Sequence, residues 1–193
     1  MNKNILYLYI APDRSSLNKA IKEIVFKAFQ NLGIKSIKFL NIFDLDLTSF
    51  SDPSLKEKIG LSQEYVKWAD IIIAQFPVWW YSIPGIFKIW FELVMVVDFA
   101  YKTVKPNAGM GLLQGKEVIF IGTVGSKKND IVNNYTIPNI EALIHPWVLA
   151  FNYAAIENKR NLFFYGCNLL SKEEFEQIAT DTNKFIMDNF SSK

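Results

Sequence analysis

Ile5-Leu6-Tyr7-Leu8-Tyr9-Ile10 is an unbroken apolar, β-favouring run of six residues. A strand of this kind, with no polar face, fits a parallel sheet covered by helices on both sides. Ile71-Ile72-Ile73-Ala74-Gln75-Phe76 and the segment from Glu117 to Thr123 read the same way. Pro77 closes the second of these runs, because it has no N–H to give to a sheet ladder.

Helical spacing fills the intervals. Ser16 stands at an N-cap, and Leu17, Ala20, Ile21, Ile24, Ala28, Phe29 and Leu32 recur on one face before Gly33 stops the helix. Ile34 to Leu40, with Lys35 and Lys38, reads as a more exposed strand. Residues 41–60 form a long, loosely patterned connection, and helical character returns from Ser62 to Trp68. Pro84 suits the first position of a further helix, with Ile86, Ile89, Trp90, Leu93 and Val94 as its stripe. Another helix is expected within Ile137 to Ala150, and a short last strand at Leu162 to Tyr165. Ser171 and Glu174 make a capping box, opening a helix whose Phe175, Ile178, Ala179, Phe185 and Ile186 are expected to face inward.

Strand and helix alternate throughout, the pattern of a doubly wound α/β fold. With right-handed crossovers and the first, third and fourth strands the most buried, the expectation is a five-stranded parallel sheet in the order 2-1-3-4-5 with helices on both faces. The 193 residues suit a single domain spanning 1–193.

Composition narrows the function. Net charge is +2 and the lysines are spread along the chain, so no concentrated basic face for nucleic acid is expected. Cys167 is the only cysteine, which excludes an internal disulfide and argues against a thiolate metal site. The apolar run Ile83 to Val97 is interrupted by Lys88 and Glu92, and no stretch reaches the ~18 residues of a membrane span. A cytoplasmic protein without membrane insertion is expected. Aromatics are abundant, with sixteen Phe, eight Tyr and five Trp, enough to line a pocket for a flat ligand or to build a subunit interface.

Ligands of a doubly wound sheet bind beyond the carboxyl ends of its strands. Three loops qualify. Ala11 to Asn18 gathers hydroxyls, an amide, the Arg14 guanidinium and the first N–H groups of a helix, which is open to a plain N-cap or to a phosphate site. Phe76 to Pro84 sets Trp79, Trp80 and Tyr81 in succession at the mouth of the sheet. A flat ligand, a partner subunit or a neighbouring helix would cover them. Thr123 to Lys128 ends a strand in Thr and Gly, and is open to close backbone approach or to simple solvation.

The segment FPVWWYSIPGIFKIWFELV, continuing to Asp98-Phe99-Ala100-Tyr101, resembles the signature of the NAD(P)H:quinone oxidoreductases, enzymes of flavodoxin-like fold. Weaker agreement runs through Ser15 to Asn18, Trp68-Ala69-Asp70, Leu112 to Lys116, and Thr123 with Gly125. The resemblance implies a homodimer holding FMN or FAD, with hydride passing from NADH or NADPH through the flavin to a quinone or similar acceptor. It assigns Ser16, Leu17 and Asn18 to the flavin phosphate. It assigns Pro77, Val78, Trp79, Trp80 and Tyr81 to the ring, and Thr123, Val124 and Gly125 to its other edge. Phe99 and Tyr101 would reach the acceptor pocket from the partner subunit.

The chain departs from the family in several places. Ala11 replaces a frequent His, Thr-Val-Gly-Ser replaces Thr-Thr-Gly-Gly, and residues 102–111 lack a glycine-rich run. For the Tyr and His that some members place near the hydride-transfer region, Tyr135 is the nearest catalytic candidate. His145, the only histidine, falls within a helix before Pro146. The leading expectation is a flavin-dependent NAD(P)H reductase of quinones or other flat electrophiles. The alternative is a flavin- or nucleotide-binding regulatory subunit of a membrane transporter. A flavodoxin-like electron carrier fits less well, since such carriers are strongly acidic and this chain is slightly basic.

Overall fold

The computed structural model describes residues 3–12, 16–49, 51–104, 108–135 and 139–191. Five strands form one parallel sheet: β1 (Ile5–Tyr9), β2 (Ile37–Asn41), β3 (Ile71–Pro77), β6 (Lys116–Thr123) and β7 (Ile156–Phe164). Two further strands, β4 (Tyr101–Val104) and β5 (Ala108–Gly111), make a separate antiparallel hairpin. The sheet order is β2-β1-β3-β6-β7. Counted over the sheet strands alone, that is the expected 2-1-3-4-5 topology.

The helices are α1 (Leu17–Asn31), α2 (Leu55–Trp68), α3 (Gly85–Val94), α4 (Lys128–Tyr135), α5 (Ile140–Tyr153) and α6 (Lys172–Phe190). Successive strand residues point to opposite faces, so β1 feeds two cores. Leu6 and Leu8, with Ile72, Phe76 and Phe120, meet Val66 of α2, Phe87 and Trp90 of α3, and Phe151 of α5. Ile5, Tyr7 and Tyr9, with Ile71 and Ile73, meet Ile21, Val25 and Phe29 of α1 and Ile178 and Ile186 of α6. The uniform apolar run is thus explained by helices on both sides. Among the described residues no helix is long and apolar enough to cross a membrane.

Several elements differ from the sequence reading, each for a local reason. The connection at 41–60 contains a 3-10 helix, Ile42–Leu45, whose Phe43 N–H is taken by the Asn41 side chain at 3.2 Å. The helix expected from Ser62 starts at Leu55: its first two turns bury no residue fully, and the buried positions, Ser62 and Val66, come only after Gly60. Asp52 organises that start, accepting from the Ser54 N–H at 2.8 Å and pairing with Lys58 at 2.7 Å. Pro84 is the N-cap rather than the first helical residue, and the buried stripe of α3 is Phe87, Trp90 and Val94, with Ile86, Ile89 and Leu93 only half-buried. The last strand begins six residues earlier than its apolar end suggests, since Glu157 and Lys159 lie exposed on an edge strand. Phe175 of α6 is exposed, one turn ahead of the first buried position, Ile178.

Register aligns the functional ends of the strands. Tyr9 lies opposite Gln75, and Pro77 lies opposite Thr123. The three loops singled out in the sequence therefore leave the sheet side by side.

Candidate functional site

The loop after β3 is built as a tight reversal. Val78 N–H donates to the Thr123 carbonyl at 2.8 Å, carrying the ladder one residue past Pro77. Trp79 and Ser82 then exchange backbone hydrogen bonds at 3.0 Å in both directions. Between them Trp80 and Tyr81 have φ of 47° and 62°. Two consecutive positive φ values under a reciprocal bond pair are the mark of a type I′ turn, whose preferred residues are Asn and Gly. Large aromatics occupy it here. Trp80 is 95% exposed, whereas Trp79 meets Phe43 edge-on at 6.2 Å and Ser82 Oγ accepts from Trp147 Nε1 at 3.3 Å. The turn is anchored at its base and bare at its tip.

The loop after β6 is pinned from the other side. Val124 N–H donates to Phe164 O at 2.8 Å, and Cys167 N–H donates to Val124 O at 3.0 Å. A Cβ on Gly125 would fall 2.7 Å from the Asn168 amide, so this position has no room for a side chain while Asn168 keeps its place.

The loop before α1 splits the three residues assigned to it. Ser16 caps the helix, its hydroxyl accepting from Lys19 N–H at 3.3 Å, and it is not among the residues lining the cleft described below. Leu17 and Asn18 do line it. Asn18 is buried, and its Nδ2 donates to Thr123 Oγ1 at 2.8 Å. Behind it, Gln75 Nε2 donates to the Asn18 carbonyl at 2.7 Å and Gln75 Oε1 accepts from the Tyr7 hydroxyl. Burial first, and then Tyr9 alongside, push the Tyr7 hydroxyl well above its ordinary pKa, so it stays protonated.

These loops enclose a cleft of about 780 Å³, within the range of small-molecule sites. Every residue from Pro77 to Tyr81 and from Thr123 to Gly125 lines it. Ile131 of α4 and Ile140 and Leu143 of α5, which cluster with Val78 and Val124, make an apolar wall. Sequence reasoning missed that wall, and also Cys167 and Asn168; Ser126 falls within the third loop it singled out, Thr123 to Lys128. The short apolar positions of α4 sit among Asn and Lys, and no periodicity marks them. Among the described lining residues only Tyr81 and Cys167 carry ionisable groups. Burial pushes the Cys167 thiol up, partly offset by its backbone contact at Val124.

The remaining candidates lie elsewhere. Tyr135 ends α4, and its side chain is outside the described residues. Phe99 is half-buried against the α2–α3–α5 core, and Tyr101 pairs with Tyr153 at 5.1 Å between ring centroids. Neither lines this chain's own cleft. His145 is exposed on α5 and also lies outside it.

A protein family described as having a flavodoxin-like fold matches residues 3–186. A Haemophilus influenzae protein named as an uncharacterized NAD(P)H oxidoreductase is 25% identical over 179 residues, covering 86% of each chain. Among solved structures, a candidate quinone reductase from Klebsiella pneumoniae superposes with a TM-score of 0.84 at 21% identity, over 99% of this chain and 86% of that one. General stress protein 14 of Treponema denticola, solved in complex with FMN, superposes with a TM-score of 0.74 at 16% identity, over 96% of this chain and 98% of that one.

Proposed function

The chain belongs to the flavodoxin-like fold family, and from that premise we propose that it is a flavin-dependent NAD(P)H oxidoreductase acting on quinones or similarly flat electron acceptors. The observation that carries the reading is the exposed indole of Trp80, held in a positive-φ turn that lines the same cleft as Leu17 and Asn18 at the start of α1. An exposed indole in a positive-φ turn beside other aromatics offers a surface that a flat partner would cover.

The residues fit FMN or FAD. The cleft is of ligand size, Gly125 lines one edge of it, and the N–H groups opening α1 favour an anionic phosphate. Leu17 and Asn18 would stand at that phosphate end, and Ser16 would hold the helix start in place. Pro77 to Tyr81 and Thr123 to Gly125 would flank the ring. A bound flavin supplies hydride exchange, accepting from NADH or NADPH and delivering to the acceptor. This chain's residues would bind and orient it, with Ile131, Ile140 and Leu143 as an apolar part of the lining. With no carboxylate or imidazole among the described lining residues, protons for a reduced quinone come from solvent or from hydroxyls such as Tyr81.

A homodimer is part of the same proposal. Val97, Met110, Leu149 and Tyr153 are all large, apolar and exposed, and Gly109 of the hairpin lies against Tyr153 of α5. A second copy seated there would bring Phe99 and Tyr101 towards a cleft they do not reach within one chain.

The test is an absorbance spectrum after loading with FMN or FAD and removing excess. Retained flavin bleached anaerobically by NADH or NADPH and restored by a quinone is expected. Retained flavin that neither nicotinamide reduces refutes the reductase and favours a regulatory flavin-binding subunit.

A further inference from the structure

The polar chain beneath the cleft has a fixed direction. Gln75 is fully buried, and its Nε2 donates to the Asn18 backbone carbonyl at 2.7 Å. A backbone carbonyl can only accept, so this amide cannot be turned over. Its Oε1 is left for Tyr7, whose hydroxyl must donate. The same Nε2 lies 3.3 Å from Asn18 Oδ1. That contact orients the second amide and leaves Asn18 Nδ2 to donate to Thr123 Oγ1 at 2.8 Å. A hydroxyl that receives one hydrogen bond still has its own hydrogen to direct. Among the described residues no acceptor pairs with it, and Thr123 lines the cleft.

We propose that Tyr7, Gln75 and Asn18 are positioning residues that fix the Thr123 hydroxyl as a hydrogen-bond donor into the cleft. Thr123 then selects a ligand that presents an acceptor there, a ring carbonyl or ring nitrogen of a flavin, over one that presents a donor. The inference rests on the flavin reading above. The direction originates at a single carbonyl in the first turn of α1 and passes through β3 to the end of β6, so strand packing sets the polarity of the site.

A purely structural role for this chain predicts altered stability with unaltered ligand preference, and the two are separable. The probes are FMN and riboflavin, bound to the full-length protein and followed by fluorescence quenching and by the position of the flavin absorption bands. Melting temperatures of the ligand-free variants report folding. Thr123→Val keeps the shape and removes the donor, and it is expected to raise the dissociation constant roughly 3- to 10-fold and to move the bands. Thr123→Ser should restore both. Gln75→Leu leaves the hydroxyl in place but lets the Asn18 amide turn, so Thr123 can donate inward, and a loss in the same direction is expected. Should Gln75→Leu fail to fold, Asn18→Asp with riboflavin replaces it, since an ionised carboxylate can only accept from Thr123 and riboflavin carries no phosphate to be repelled. If the unaltered protein binds neither probe, the flavin reading fails and takes this inference with it. If it binds and a folded Thr123→Val matches it, the flavin reading stands and the inference is overturned. Weakening by Thr123→Val with unchanged binding by Gln75→Leu, or by its Asn18→Asp replacement, also overturns it.

Discussion

Replacing Trp80 should make the ligand-free protein more stable and its ligand binding worse. Trp80 has φ of 47° and is 95% exposed. A left-handed conformation costs an ordinary L-residue about 1–2 kcal/mol, whereas Asn adopts it readily. The indole buries almost nothing in the free protein, so Trp80→Asn forfeits little packing. A net gain of about 1 kcal/mol is expected, which for a chain of this size raises the melting temperature by roughly 2–4 °C. Affinity moves the other way. Covering about 100 Å² of the ring at about 25 cal/mol/Å² is worth up to about 2.5 kcal/mol, so FMN should bind up to roughly 60-fold more weakly. Thermal melts of the ligand-free proteins and fluorescence titrations with FMN read the two effects separately. A ligand-free Trp80→Asn that melts below the unaltered protein would refute the strain argument, because the indole would then be contributing packing. Unchanged FMN affinity would refute the assignment of this turn to the ring.

Three further outcomes are expected. Gly125→Ala places a methyl 2.7 Å from the amide end of the exposed Asn168 side chain, which can swing aside; a loss of no more than about 0.5 kcal/mol should appear in denaturant unfolding. Lys58, together with the N–H and hydroxyl of Ser54, holds the Asp52 carboxyl below its usual range, at about 2. A carboxyl depressed on folding stabilises above its unfolded pKa and loses that contribution as pH falls from about 4 to about 2; Asp52→Asn should flatten the acid limb of the stability profile in that window. Burial pushes the Cys167 thiol up, so alkylation at neutral pH should be slower than for a free cysteine. Bound flavin, filling the cleft that Cys167 lines, should slow it further; acceleration by flavin would contradict that placement.

Much of the sheet was legible because burial on both faces leaves a mark that no loop imitates. β1, β3 and β6 read as apolar runs since Ile5 to Tyr9, Ile71 to Ala74 and Val118 to Ile121 land alternately in the two cores. Edges were read less well. β7 alternates exposed Glu157 and Lys159 with half-buried residues, and only its apolar end stood out. The hairpin β4–β5 escaped notice because Gly109 and Gly111 are there for close approach to Tyr153 and to the Ala154–Ala155 backbone, not for a turn signal. At the cleft, the three loops were legible from strand ends alone, since topology decides where those ends meet. The wall of Ile131, Ile140 and Leu143 was not, because two helices far along the chain supply it. Nor was the role of Gln75, a polar residue inside an apolar run whose partners are fixed only by strand register.

The charged outer face of β7 also bears on how the molecule lives among copies of itself. An open parallel sheet ends in two rows of backbone groups that any extended chain can join. On this edge Glu157, Lys159 and the shift in register between Val118 and Ile119 interrupt both the flatness and the apolarity that such recruitment needs. The polarity that hid the strand from sequence reading is therefore also what makes this edge a poor template for a further strand.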